Sequence, residues 1–257
     1  MDDPEYVVIW GDVHGNWPWA SRQLRAMRSL VPDEDPLTVC HVGDFGFWPP
    51  AADFAIRMNQ LATDLNTRIW VTPGNHEWYP EMLKPEWLSA DPVHDDRHLV
   101  ALNRGTRWQW HGRTWLSAGG AASADRFLRV TGESWWPEEE LADEEVTRII
   151  ADGPADVLVT HDAGSAVPLD LGVWPVIWGE EARQRCLAHR ELVQRLADEV
   201  KPSHWWHGHY HQHKRHDIEM GHGSVRVTGL SLDGTPGNWA IVNVKTMKLE
   251  YLSNQEK

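Results

Sequence analysis

At 257 residues, 41% hydrophobic and 24% charged, the chain has the balance of a globular protein that buries a core without disulfide staples. A formal net charge of −14 argues against broad binding to a nucleic-acid backbone, though not against a small anionic substrate held by cations. The acidic start Met1-Asp2-Asp3-Pro4-Glu5 is unlike a secretory signal and no apolar run approaches a membrane span, so a cytoplasmic protein without membrane contact is expected.

Tyr6-Val7-Val8-Ile9-Trp10 predicts a first strand ending at Gly11-Asp12. Ala20, Leu24, Met27 and Val31 follow at four-three-four spacing and share one helical face. Leu37 to Val42 predicts a second strand, ending at Gly43-Asp44, and Phe54, Met58, Leu61 and Leu65 repeat the helical spacing. Arg68 to Thr72 predicts a third strand, ending at Pro73-Gly74-Asn75. Asp12, Asp44 and Asn75 are separated by 32 and 31 residues, about one βαβ unit each. Right-handed crossovers would place their strands parallel and bring all three residues to one sheet edge. Residues 80–112 show few clear elements. Thr114–Ala118 and Asp156–Thr160 predict further strands, and Pro137 before three glutamates predicts a helix start. Leu192, Val193, Leu196 and Val200 mark a helix, followed by strands at 204–207, 225–230, 239–244 and 249–252. One α/β domain spanning 1–257, with two sheets, accommodates these elements. Cys40, closing an apolar run far from Cys186, is expected to be a buried free thiol.

Five short clusters follow these apolar runs: Gly11-Asp12-Val13-His14-Gly15-Asn16, Gly43-Asp44, Gly74-Asn75-His76-Glu77, Thr160-His161-Asp162 and Gly208-His209-Tyr210-His211. Carboxylate, imidazole and amide ligands without thiolate suit a borderline-hard divalent metal. A loop that sends His209 and His211 to separate ions, rather than a flat strand, is expected for the last cluster. Lone histidines elsewhere (His41, His94, His98, His111 and His189) are expected to be caps or solvated loop residues. His204, His207, His213 and His216 crowd the last cluster, either orienting ligands or lying on the surface. Seventeen tryptophans are divided between core and positions beside the clusters, among them Trp17, Trp19, Trp48, Trp78, Trp135 and Trp136.

The ordered set D-x-H, G-D, G-N-H-E, a lone histidine and G-H-x-H, over roughly residues 6–215, resembles the calcineurin-like metallophosphoesterases. The resemblance implies a two-sheet β-sandwich flanked by α-helices, a four-layer α/β/β/α arrangement. It implies one metal on Asp12, His14, Asp44 and His211, and a second on Asp44, Asn75, His161 and His209, with Asp44 bridging. Manganese is the expected occupant of both positions, with iron, zinc, nickel and cobalt as alternatives. Two such cations about 3.5–4 Å apart would generate a hydroxide that attacks phosphorus in line. The resemblance makes His76 a leaving-group acid or phosphate-binding cation, beside Asn75 in contact with substrate.

Protein phosphatases of this family continue the second motif as G-D-x-x-D-R-G, whereas this chain reads Gly43-Asp44-Phe45-Gly46-Phe47-Trp48. The arginine that would clamp a monoester dianion is missing. A phosphodiesterase acting on a small substrate, such as a cyclic nucleotide, is therefore expected. Rival readings are a phosphomonoesterase or protein phosphatase, a non-catalytic binding scaffold, and a nuclease. Arg126, in a loop resembling that of small bacterial and phage members, is a candidate substrate contact with a surface ion pair as its alternative.

Overall fold

The computed structural model describes residues 3–48, 53–171 and 179–253, so Met1 and Asp2 of the acidic start lie outside the described residues. The first half runs β1 (Tyr6–Trp10), α1 (Trp17–Leu30), β2 (Leu37–His41), α2 (Asp53–Asp64), β3 (Thr67–Val71), α3 (Tyr79–Met82), β4 (Leu88–Ser89) and β5 (Leu99–Leu102). The second half runs β6 (Arg107–Trp110), β7 (Arg113–Ala118), α4 (Asp143–Ala151), β8 (Val157–Thr160), α5 (Gly179–Val200), β9 (His204–His207), β10 (Lys214–Met220), β11 (Gly223–Gly229), β12 (Trp239–Asn243) and β13 (Lys248–Leu252).

One sheet has the order β13-β12-β1-β2-β3-β5-β4 and the other β10-β11-β9-β8-β7-β6. β1, β2, β3 and β5 are parallel, as are β7, β8, β9 and β11. Alternation along β1 shows how the layers form. Val8 and Trp10 face outward to Leu24 and Met27 of α1, while Val7 and Ile9 face Trp115 and Val159 of the second sheet. A third cluster packs Leu116 and Leu158 under Ile149 of α4 and Leu196 of α5. The layers are therefore helix, sheet, sheet, helix. With both faces of each sheet covered, the central strands read as continuous apolar runs.

Trp70, Trp108, Trp110 and Trp115 meet between the sheets, with ring centroids 5.1–5.8 Å apart in stacked and edge-on pairs. Much of the tryptophan excess is thus core. Of those beside the motifs, Trp19, Trp135 and Trp136 are buried, and Trp17 and Trp78 pack on the helix-side cluster.

Two expectations about elements are corrected. Pro137 opens only a short 3-10 turn, Pro137–Glu139, because the Glu139 side chain turns inward to Arg129; the helix begins at Asp143. Residues 80–112 hold β4, β5 and β6, which joins its sheet antiparallel to β7. His41 and His189 are also not solvated. His41 is fully buried in β2, where its Nδ1 accepts the Gly43 amide at 3.1 Å, and burial pushes its pKa down to about 3. Cys40 is buried and free.

Candidate metal centre

Register brings the motif loops together. Trp10 pairs with His41 and His41 with Val71, so β1, β2 and β3 end level. In the second sheet Thr160 pairs with Ala118, and Val159 with Trp206, aligning the loops after β7, β8 and β9. The parallel ends of both sheets open on one edge, where open α/β folds place ligands. The loops are then laced across: the Val13 and His14 amides donate to Asp44 O at 3.0 and 2.8 Å, and the Gly208 amide donates to His161 O at 3.1 Å.

Asp12, His14 and His211 offer ligand atoms that all lie within 4.8 Å of one another, and so do Asp44, His161 and His209. Asp44 also reaches the first group. Its Oδ2 lies 3.3 Å from His14 Nε2, and its Oδ1 lies 3.3 Å from His161 Nε2. The Asn75 Oδ1 is 3.0 Å from the same His161 nitrogen. His161 Nδ1 bonds the Val42 carbonyl at 2.9 Å, which gives Nδ1 the proton and leaves Nε2 facing the cluster. His211 Nε2 is 3.2 Å from Asp12 Oδ2. His209 and His211 flank Tyr210 on a left-handed turn, with φ of 66° and 55°, and turn to different groups. His14 and Asp44 also have positive φ, of 48° and 53°. Non-glycine residues resist this conformation, and its concentration here is a mark of a functional site.

Donor chemistry and charge both fit cations. Burial opposes charge on His161, but the facing Asp44 outweighs it and pushes the imidazole up to about 10. His14 likewise overcomes burial through its contact with Asp44 and rises to about 9. Asp44 is held well below the usual carboxylate range, since His161 and His14 more than offset its burial. The pocket is built for positive charge.

His76 does not join either group. Its backbone amide donates to Asp44 Oδ1 at 2.8 Å, while its ring lies 6.1 Å from the His14 ring and 5.8 Å from Trp48. Among the described residues no hydrogen bond reaches the ring. Burial holds its pKa below the ordinary value against the pull of Asp44, and Arg129 adds to the lowering. Among the described residues no hydrogen bond or ion pair joins Arg126 to either group. Its guanidinium donates to Arg129 O at 3.0 Å and Thr131 Oγ1 at 2.7 Å, and covers the Trp135 ring at 3.8 Å.

Several residues to which the motifs assigned no role support the site, Glu77 among them although it stands inside one motif. Glu77 is buried, and its carboxylate accepts the amides of Phe45, Gly46 and Phe47 at 2.6, 3.1 and 2.9 Å. The second-motif loop therefore closes on Glu77 and turns Phe45 and Phe47 into the core, with Trp48 beside His76. Asn75 Nδ2 donates to Ser123 Oγ at 3.0 Å, which donates to buried Glu139 at 2.5 Å. Arg129 closes this chain on Glu139 at 2.6 Å. Asp233 receives the Asn16 amide and stands 3.8 Å from His14 Nδ1. Two supports directly follow a candidate site residue in the motifs, Glu77 after His76 and Asp162 after His161.

A family model for calcineurin-like phosphoesterases matches residues 6–213, and the chain belongs to that family. It is thereby a metal-dependent phosphoric ester hydrolase with the α/β sandwich already described. Among solved structures the chain is similar to TT1561 of Thermus thermophilus, at 12% identity and a TM-score of 0.56, over 96% of this chain and 97% of that one. The phosphopantetheinyl hydrolase PptH of Mycobacterium tuberculosis superposes with a TM-score of 0.47 at 14% identity, over 89% of this chain and 90% of that one. The first likeness speaks to fold alone. Among curated proteins no sequence matches the chain. Among the described residues no helix is long and apolar enough to cross a membrane.

Proposed function

We propose that the protein hydrolyses a small phosphodiester, a cyclic nucleotide being the leading candidate, with Asp12, His14, Asp44 and His211 holding one divalent cation and Asp44, Asn75, His161 and His209 the other. The observation that carries this reading is the Asp44 carboxylate, one oxygen turned to His14 and the other to His161. Manganese is the proposed occupant of both positions. When bound, the two cations supply Lewis acidity that neutralises phosphoryl charge and lowers the pKa of water.

The chain's own residues do the rest. Asn75 is fixed by Ser123 so that its Oδ1 stays toward the cluster. His76 projects from the adjacent position, and even as a neutral imidazole it offers an N–H to a phosphoryl or leaving-group oxygen. The Trp48 ring lies beside that imidazole, with centroids 5.8 Å apart.

Preference for a diester rests on the loop from Asp44 to Trp48. That loop buries phenylalanines where a monoester dianion would need an arginine fork. Arg129, whose charge reaches His76, is already committed to Glu139 and Ser123. Parallel assays of the manganese-loaded protein with bis(p-nitrophenyl) phosphate and p-nitrophenyl phosphate test the reading. Faster turnover of the diester is expected, and a strong preference for the monoester would overturn it.

A further inference from the structure

Tyr210 stands between two ligand histidines, yet its hydroxyl is engaged by a different loop. Its hydroxyl donates to Asp162 Oδ1 at 2.6 Å. Asp162 directly follows His161, so this one bond ties the turn after β9 to the loop after β8. The other carboxylate oxygen, Oδ2, is 2.6 Å from His189 Nδ1. His189 Nε2 accepts the Leu141 amide at 3.1 Å, so the proton sits on Nδ1 and the ring donates to Asp162. The Ala163 amide gives Oδ1 a further donor at 2.7 Å. Asp162 and His189 are both buried, and three donors compensate the buried anion. Arg190, next to His189 in α5, grips the carbonyls of Gly164 and Val167 at 2.7 and 2.9 Å and faces the Tyr210 ring.

The side-chain contacts favour one group of ligands, although the His209 backbone amide also donates to Asp12 at 3.1 Å. The Tyr210 ring meets the His209 ring edge-on at 4.8 Å, and His209 meets His161 at 5.1 Å. His211 is held differently: its carbonyl accepts Ser231 Oγ at 3.0 Å, and its ring lies against His14 at 5.2 Å.

We propose that Tyr210, Asp162 and His189 form a brace that keeps His161 and His209 converged, and that this brace sets cation affinity at the Asp44–His161–His209 group separately from the Asp12–His14–His211 group. These are positioning residues, remote from the reacting atoms. The inference rests on the proposed pair of cation sites but not on the choice of ester.

Calorimetric titration of the metal-free protein with Mn²⁺ alone, without substrate, tests it. The wild type should bind two ions, and a wild type binding fewer removes the two-cation reading itself before any variant is made. In Tyr210→Phe, which keeps the ring, one site should weaken by about 10–100-fold, as for loss of a partner that orients a ligand. The other should stay within about threefold. His189→Leu should behave alike, whereas His189→Asn, whose side-chain amide can still donate to Asp162, should recover affinity. Thermal melts of each metal-free variant separate loss of the brace from loss of the fold. Equal weakening of both sites, unchanged affinity at both, or no difference between the Leu and Asn variants overturns the proposal.

Discussion

Asp44 turns one carboxylate oxygen to His14 and the other to His161, each 3.3 Å from the facing Nε2. The two imidazoles come from opposite sheets, and Asp44 itself sits on a left-handed backbone. In Asp44→Asn the geometry can persist, but one anionic oxygen is replaced by a donor. Metal content after dialysis and activity should fall together, with affinity reduced by more than the about 10–100-fold that follows loss of an indirect partner. Two tightly held ions in the variant would contradict a bridging role.

His76→Ala should keep both ions, because the ring belongs to neither group and its backbone amide still reaches Asp44. Turnover should drop about 10²–10⁴-fold for an alkyl leaving group and much less for p-nitrophenolate, which needs no proton. Equal losses on the two substrates would remove the acid role and leave phosphate binding.

Gly74 shows how tightly the loops interlock. A Cβ there would lie 2.1 Å from the Asp44 backbone nitrogen and 2.2 Å from its Oδ1. Backbone cannot swing aside as a flexible side chain can. Gly74→Ala should therefore cost about 1–3 kcal/mol in urea unfolding, the usual range for overpacking, and should lower metal content. Gly221→Ala, with nothing within 4 Å, serves as the control and should stay within about 0.5 kcal/mol of wild type.

Acid should unfold the protein partly through buried neutral imidazoles. Burial lowers the pKa of His41 to about 3 and, with help from Arg226, that of His204 to about 4, both below the unfolded value of 6.5. The contribution of each is complete above pH 6.5 and is lost as pH falls, toward about 4 for His204 and about 3 for His41. For fully buried His41 the slope is at most about 1.4 kcal/mol per pH unit. Urea midpoints of metal-free His41→Asn, whose amide oxygen can still accept the Gly43 N–H, should change less between about pH 6.5 and 5 than those of wild type. Parallel lines for the two proteins would rule out this role.

The βα units of the first third were readable because each strand-helix pair carries its own period, and Leu24 and Met27 or Met58 and Leu61 need no distant partner to declare a face. β10, reading Lys-Arg-His-Asp-Ile-Glu-Met, was not: it is a polar edge strand whose pairing with β11 supplies its order. The ligand clusters announce themselves by residue type. The roles of their supports do not, since a buried Glu77, even inside a motif, or a buried His189 differs from a surface one only in what the fold folds over it. His41 shows the same: the apolar residues that bury it, Trp10 and Phe45, come from another strand and from the following loop.

Each candidate cation group draws on both halves of the sandwich. Asp12 and His14 follow a strand of one sheet while His211 follows a strand of the other, and Asp44 is set against His161 and His209 in the same way. An ion held there is a rivet through two plates: parting the sheets at this edge and releasing the ion become a single event. Cation concentration then acts as a clamp on the fold, because an ion that binds only the closed sandwich raises its stability in proportion to the logarithm of free metal. The same seam that would perform hydrolysis would also govern how readily the two sheets come apart.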